Sequence, residues 1–301
     1  MLPWPLLVNH RQPGHGASAM SQHLLVFFQR HLQAQGKRPG TQDRYVSILA
    51  RFLRELEVPA ESITADHVYD FLVERGNALG LSASWFNVIF HALVAWLTMR
   101  RLPVDLRGLR PKRVALQPPR WFTAAEVRRL VDAVDQRSFR LFFQVMLSTG
   151  MRVSEVLALR VRDLDSERPL IHIPCGKGGD GRLVMCSATL RERLRAHWRV
   201  FRPTEVFFER RPGFDRRPML AGTVNAALRR AAERAGFTEP VSSHRFRHSF
   251  AIHSLRGGMD IVTLQRAMGH RCITSTVRYL TPDLARPGVS VDLLATLAVT
   301  P

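Results

Sequence analysis

The sequence is poor in cysteine and in acid. Its three cysteines, Cys175, Cys186 and Cys272, lie scattered through 301 residues. That is too few for a disulfide framework, and no Cys-x-x-Cys pair suggests a zinc site, so a reducing cytoplasm is the expected setting. No stretch approaches the roughly 18 uninterrupted apolar residues of a membrane span, which excludes an integral membrane protein built on helices. Internal repeats and low-complexity tracts are absent. Acidic residues number 25 against 44 Lys and Arg, a formal net charge of +19. Such an excess draws a protein toward polyanions, because each cation beside a phosphate releases condensed counterions. Nucleic acid is the first candidate, and a generally arginine-rich surface is the bland alternative.

What is present is enough apolar residue, 46%, to bury a sizeable core in one or two domains, which excludes wholesale disorder. Residues 1–20 hold Pro3, Pro5, Pro13 and Gly14, show no basic stretch before an apolar run, and precede a second methionine at Met20. They read as an unstructured leader and not as a signal peptide. Residues 21–101 carry helical periodicity almost throughout. Tyr45, Ile48, Leu49, Phe52, Leu53 and Leu56 form one apolar face behind Thr41 as N-cap, and Thr64 and Ser82 or Ser84 open two further helices. With Leu24–Leu32 this makes a four-helix unit. Residues 102–119, with four prolines and Arg107, Arg110, Lys112 and Arg113, read as a basic linker.

Residues 120–301 read as a second, larger domain. Helices are expected at Thr123–Asp135, Ser138–Ser148, Ser154–Leu159, Ala188–Trp198, Gly222–Ala235, His244–Leu255 and Asp260–Met268. Between the third and fourth, Leu170–Ile173 and Leu183–Met185 flank a glycine-rich turn and read as a β-hairpin. The fold class is therefore mainly α with a small antiparallel sheet.

Five features of this domain can carry chemistry. Arg152 and Glu155 stand three apart after Gly150, either as a surface ion pair or as a phosphate-binding fork with a carboxylate orienting it. Lys177 sits in the turn of the hairpin, where most lysines are merely solvated. His244 and Arg247 are also three apart on a helix. His244 and His248 have the spacing of a zinc helix, but Arg245 stands where such a metalloprotease helix needs glutamate and no further ligand follows, so no metal is expected. His270 follows the helix-ending Gly269. Tyr279, one of only three tyrosines, precedes Thr281-Pro282.

Taken in order, these residues supply two arginines for phosphate oxygens, a lysine and histidines for proton transfer, and a hydroxyl nucleophile. The segments Thr149-Gly-Met-Arg-Val-Ser-Glu-Val-Leu157, Gly176-Lys-Gly-Gly179, His244-Arg-Phe-Arg-His-Ser-Phe-Ala251 and Met268-Gly-His-Arg-Cys-Ile-Thr-Ser-Thr-Val-Arg-Tyr279 resemble the tyrosine recombinase family, which includes phage integrases and the Xer recombinases. The resemblance covers most of the second domain and the first only in architecture. Phe246 and Met268 replace the family's more usual leucines, with similar volumes.

The resemblance implies an N-terminal SAM-like core-binding domain and a C-terminal mixed α/β catalytic domain that form a C-shaped DNA clamp. It implies that Arg152, Lys177, His244, Arg247 and His270 surround the scissile phosphate, with Glu155 behind Arg152 and Tyr279 as nucleophile. A phenol with pKa near 10 needs help to attack at neutral pH. In the implied scheme the arginines meet the phosphate's charge without a metal ion, Lys177 protonates the leaving 5′ oxygen, and His244 exchanges a proton with Tyr279 or stabilises it. The product is a 3′-phosphotyrosyl link whose reversal onto another strand recombines DNA through a Holliday junction, with no cofactor. Double-stranded DNA with inverted-repeat sites and a homotetramer spanning two sites, with or without accessory proteins, are the implied partners. Arg110, Lys112, Arg113, Arg229, Arg230 and Arg234 are the expected phosphate contacts. A non-cutting DNA-binding regulator and a type IB topoisomerase are the other readings of the same scaffold.

Overall fold

The computed structural model describes residues 19–280, apart from 57–58, 60–61, 79, 103–104, 107, 113–119, 175–180 and 213. The expected leader thus falls outside the described residues up to position 18, and helix α1 begins at Ala19. The chain divides into two compact units between Leu116 and Gln117. No helix among the described residues is long and apolar enough to cross a membrane.

The first unit holds α1 (Ala19–Ala34), α2 (Pro39–Glu55), α3 (Ala65–Ala78) and α4 (Ala83–Met99). Helix α4 is its centre because apolar residues cover most of its circumference: Phe86, Ile89, Phe90, Leu93, Trp96 and Leu97 are all buried. Phe52 of α2 meets Trp96 edge-on at 5.9 Å. Ser82 caps α4 through the Trp85 amide, and the Thr64 hydroxyl accepts from the His67 amide at the start of α3. Thr41, expected to cap α2, lies inside it. The helix starts instead at Pro39, after an extended Arg38, because proline at the first position presets φ and has no N–H to satisfy.

The segment expected to be a linker is partly folded onto this unit. Leu106 is buried in its core. The Asn87 side chain accepts from the Lys112 amide at 2.7 Å and donates to the Lys112 carbonyl at 2.9 Å, and the Lys112 ammonium lies 4.6 Å from the Phe86 ring centroid.

The second unit is built around α6 (Arg137–Thr149), whose residues are buried on nearly every side. It packs against α5 (Ala124–Asp132), α7 (Val153–Leu157), α8 (Ala188–Phe201) and α10 (His244–Arg256); α9 (Ala221–Arg234), α11 (Ile261–Met268) and α12 (Thr274–Val277) complete the helical set. Thr123 forms a full capping box with Glu126. The expected caps Ser138 and Ser154 both lie one residue inside their helices, whose N-cap positions are Gln136 and Arg152. Strands β1 (Leu170–Ile173) and β2 (Arg182–Met185) pair antiparallel with Ile173 opposite Arg182. A second two-stranded sheet, β3 (Glu209–Arg211) with β4 (Asp215–Pro218), was not legible from periodicity. Its residues are charged, and Asp215 grips the Arg217 guanidinium at two 2.9 Å contacts in place of an apolar alternation.

Aromatic rings fill this core. Phe143 stacks on Phe246 at 5.2 Å with only 8° between the ring planes, joining α6 to α10. Phe143→Ala is expected to lower unfolding free energy by about 3–5 kcal/mol, measured by urea denaturation. His197 sits among Phe201, Phe207 and Phe208, and burial pushes its pKa from 6.5 down to about 4. Between those values the unfolded chain binds the proton and the folded chain does not, so stability falls as pH drops from about 6.5 to about 4. His197→Phe should flatten that dependence in denaturation curves taken across the window.

Candidate active site

The site begins where α6 stops. Gly150 ends that helix with φ of 64°, and a side chain there would overlap the Phe250 ring of α10, so glycine is required both for the turn and for the close approach. The turn delivers Arg152 in extended conformation to the start of α7. The Arg152 amide donates to Glu155 Oε2 at 2.7 Å, and its Nη1 donates to Oε1 at 2.8 Å.

Glu155 is also held from β2. Arg182 Nη2 donates to Oε2 at 2.8 Å and Nη1 to Oε1 at 3.0 Å, while its Nε donates to the Ala267 carbonyl at 2.7 Å. Burial pushes the Glu155 carboxyl up, but the hydrogen bonds from Arg182 and the Arg152 amide outweigh it and hold the group at about 2. Gly269 ends α11 in the left-handed region, and a Cβ there would stand 2.9 Å from Arg182 Nη1. One arginine thus joins the hairpin, α7 and the turn that carries His270.

Arg247 is 1% exposed. Its two terminal nitrogens donate to the Gly150 and Met268 carbonyls. Burial first, and then Arg152, lower its pKa to about 10, so it remains cationic at neutral pH. Tyr279 is 2% exposed. Its hydroxyl is 2.9 Å from His248 Nδ1, and its ring lies nearly parallel to that of His270 at 6.3 Å. His270 Nδ1 is 2.9 Å from the hydroxyl of the buried Thr276. Burial raises the Tyr279 pKa, opposed by Arg247, Arg278 and Arg152. Burial and the surrounding cations lower the pKa of His244, and take His248 and His270 to about 4. His248 and His270 are therefore neutral at pH 7.

The structure brings Arg152, Glu155, His244, Arg247, His270 and Tyr279 into one cluster, while Lys177 lies outside the described residues. Among the described residues no hydrogen bond joins His244 to Tyr279, one of the two roles the resemblance leaves open for this histidine. His244 instead meets His248 edge to face at 4.5 Å, and His248 occupies the phenol. No group of three or more His, Cys, Asp or Glu side chains that could hold a metal is found among the described residues. Of the expected phosphate contacts, Arg110, Arg229 and Arg230 are exposed, and Arg113 lies outside the described residues. Lys112 is docked on Phe86. Arg234 is exposed as well; it donates to the Ala133 carbonyl and pairs with Asp135 at 2.9 Å, tying α9 to the end of α5.

Sequence reading missed Arg182, His248 and Thr276. His248 was visible as the residue following Arg247, but its helical spacing suggested only a metal pair. Nothing in the local pattern marks Arg182 or Thr276.

Buried cations around a hydrogen-bonded phenol suit a phosphodiester, whose anionic oxygens can meet the guanidinium groups while the phenol attacks. The sequence pattern of the phage integrase family matches residues 120–286, more than half of the chain, and that of the phage integrase N-terminal SAM-like domain matches residues 24–98. The chain is 29% identical to tyrosine recombinase XerA of Pyrococcus furiosus, covering 86% of this chain and 90% of the relative. It is also 29% identical to a putative integrase/recombinase, y4qK, of Sinorhizobium fredii, over 90% and 89% of the two chains. The fold matches a lambda integrase tetramer bound to a Holliday junction with TM-score 0.71 at 17% identity, over 90% of this chain and 80% of that one. The chain belongs to the phage integrase family and is a tyrosine site-specific recombinase.

Arg182→Ala removes the strongest brace on Glu155. It is expected to destabilise the protein by about 2 kcal/mol at pH 7. Because the carboxyl then titrates closer to its unfolded value, the stability that the wild type loses as pH falls from about 4.5 to about 2 is largely absent from the variant, whose dependence on pH in that window should be flatter. Denaturant midpoints across pH 2–7 measure both effects.

Proposed function

We propose that Tyr279 is the nucleophile of strand cleavage and that Arg152, Lys177, His244, Arg247 and His270 surround the scissile phosphate. Arg152 and Arg247 stabilise the charge that develops on the nonbridging oxygens, Glu155 fixes Arg152 from behind, and Lys177 protonates the departing 5′ oxygen. The Tyr279 oxygen forms a bond to phosphorus as the bond to the 5′ oxygen breaks, leaving a 3′-phosphotyrosyl link and a free 5′ hydroxyl. The bond energy is retained in that link, so rejoining needs no ATP. The observation that carries this reading is the burial of the Tyr279 hydroxyl beside Arg247 and Arg152 at hydrogen-bonding distance from a neutral imidazole.

The substrate is double-stranded DNA bearing inverted-repeat sites, recombined by four protomers on two sites. The net charge of +19 supports a DNA partner, and the lambda integrase tetramer on its Holliday junction supports the stoichiometry. Arg110, Arg229 and Arg230, all exposed, are the proposed backbone contacts. The enzyme acts where the DNA is, in the cytoplasm.

Incubation in EDTA with a supercoiled plasmid carrying DNA from beside the gene is expected to give a detergent-stable protein–DNA adduct that Tyr279→Phe abolishes. An adduct that survives Tyr279→Phe overturns the assignment of the nucleophile.

A further inference from the structure

Resting on the assignment of Tyr279 as nucleophile, we infer that His248 is the group that accepts the Tyr279 proton during strand cleavage and returns it during rejoining. Geometry separates the two histidines of α10. His248 Nδ1 stands 2.9 Å from the Tyr279 oxygen, within reach for proton transfer. His244 lies one helical turn earlier, edge-on to the His248 ring at 4.5 Å, and its charge environment is set by Arg247, Arg152 and Arg278. The contact to the phenol therefore belongs to His248.

The transfer balances. As the Tyr279 oxygen bonds to phosphorus, its proton moves to His248 Nδ1. His248, carrying its other proton on Nε2, becomes an imidazolium. The electron pair of the broken P–O bond leaves with the 5′ oxygen, which takes a proton from Lys177. Rejoining runs both transfers backwards.

The groups facing His248 are His244 and Arg247 on its own helix, Arg278 and Tyr279 after α12, and His270 after α11. Burial and these neighbours keep His248 unprotonated in the free protein, with pKa of about 4, so its lone pair is available. An arriving phosphodiester brings a negative charge among the same cations. That charge offsets their field and makes His248 more basic when the proton has to move. The imidazole is a weak base in the empty site and a stronger one in the loaded site.

The test uses the plasmid described above and reads the initial rate of adduct formation between pH 6.5 and 9.5 for the wild type, His248→Phe and His248→Asn. Plasmid binding of each is followed by gel retardation. At pH 7 both variants should bind as the wild type does and cleave about 100-fold more slowly. Both rates should then climb about tenfold per pH unit as hydroxide takes over the proton, against a nearly flat wild-type profile. His248→Asn keeps a hydrogen-bond acceptor beside the phenol but cannot take its proton. Recovery of the wild-type rate by that variant would reduce His248 to a positioning residue and overturn the inference. So would a rate in His248→Phe that matches the wild type across the range. Ring-nitrogen NMR of the unaltered protein gives a reading independent of the variants: Nδ1 should be unprotonated and should shift on Tyr279→Phe. A proton found on Nδ1 would overturn the inference. An adduct that depends on Tyr279 but not on His248 defeats this inference alone, whereas one indifferent to Tyr279 defeats the parent reading.

Discussion

A single carboxylate between two guanidinium groups organises the catalytic unit. Glu155 receives Arg152 from its own short helix and Arg182 from the second strand of the hairpin, and Arg182 continues to the Ala267 carbonyl at the end of α11. The side chains of Arg182 and Glu155 are only 13% and 17% exposed, so the pair works in a medium where Coulomb attraction is strong and an unpartnered charge is costly. That cost makes the arrangement directional. Removing one partner leaves a buried ion uncompensated, which binds the hairpin, α7 and the His270 turn into one unit.

Arg247 follows the same logic, with no carboxylate in salt-bridge contact among the described residues. It is nearly fully buried, and two backbone carbonyls accept from its terminal nitrogens but do not neutralise its charge. A cation held in this way is a standing electrostatic demand for an anion. The carbonyls also fix its plane, so any anion that binds there meets a guanidinium already oriented. Burial chiefly, and this field with it, hold His248 and His270 neutral, and the field opposes the effect of burial on Tyr279.

The two glycines that frame the site show how close packing translates into sequence. Gly150 and Gly269 both take left-handed conformations at helix ends, and each lies against a side chain that a Cβ would displace, Phe250 in one case and Arg182 in the other. Each glycine is fixed twice over, by its φ and by its neighbour.

Much of this was legible in the linear sequence. Periodicity marked all four helices of the first unit and most of the second, and turn chemistry marked the hairpin at residues 170–185, because a 3.6-residue apolar repeat and a glycine-rich turn are local properties. The ordered series Arg152, Lys177, His244, Arg247, His270 and Tyr279 was readable because each residue sits in a recognisable run. The N-caps of the helices starting at Pro39, Arg137 and Val153 lie two or three residues before the expected Thr41, Ser138 and Ser154, since serine and threonine are good caps that the surrounding packing need not use. The β3–β4 hairpin was invisible because charged residues pair through Asp215 and not through an apolar face. The sequence by itself determined the family, the domain composition and the inventory of reactive groups. Tertiary structure alone decided which histidine meets the phenol, that Arg182 braces Glu155, and that Arg234 and Lys112 are engaged within their own units. Those outcomes depend on contacts between segments distant in the chain, where distance and burial, and not residue type, select the partner.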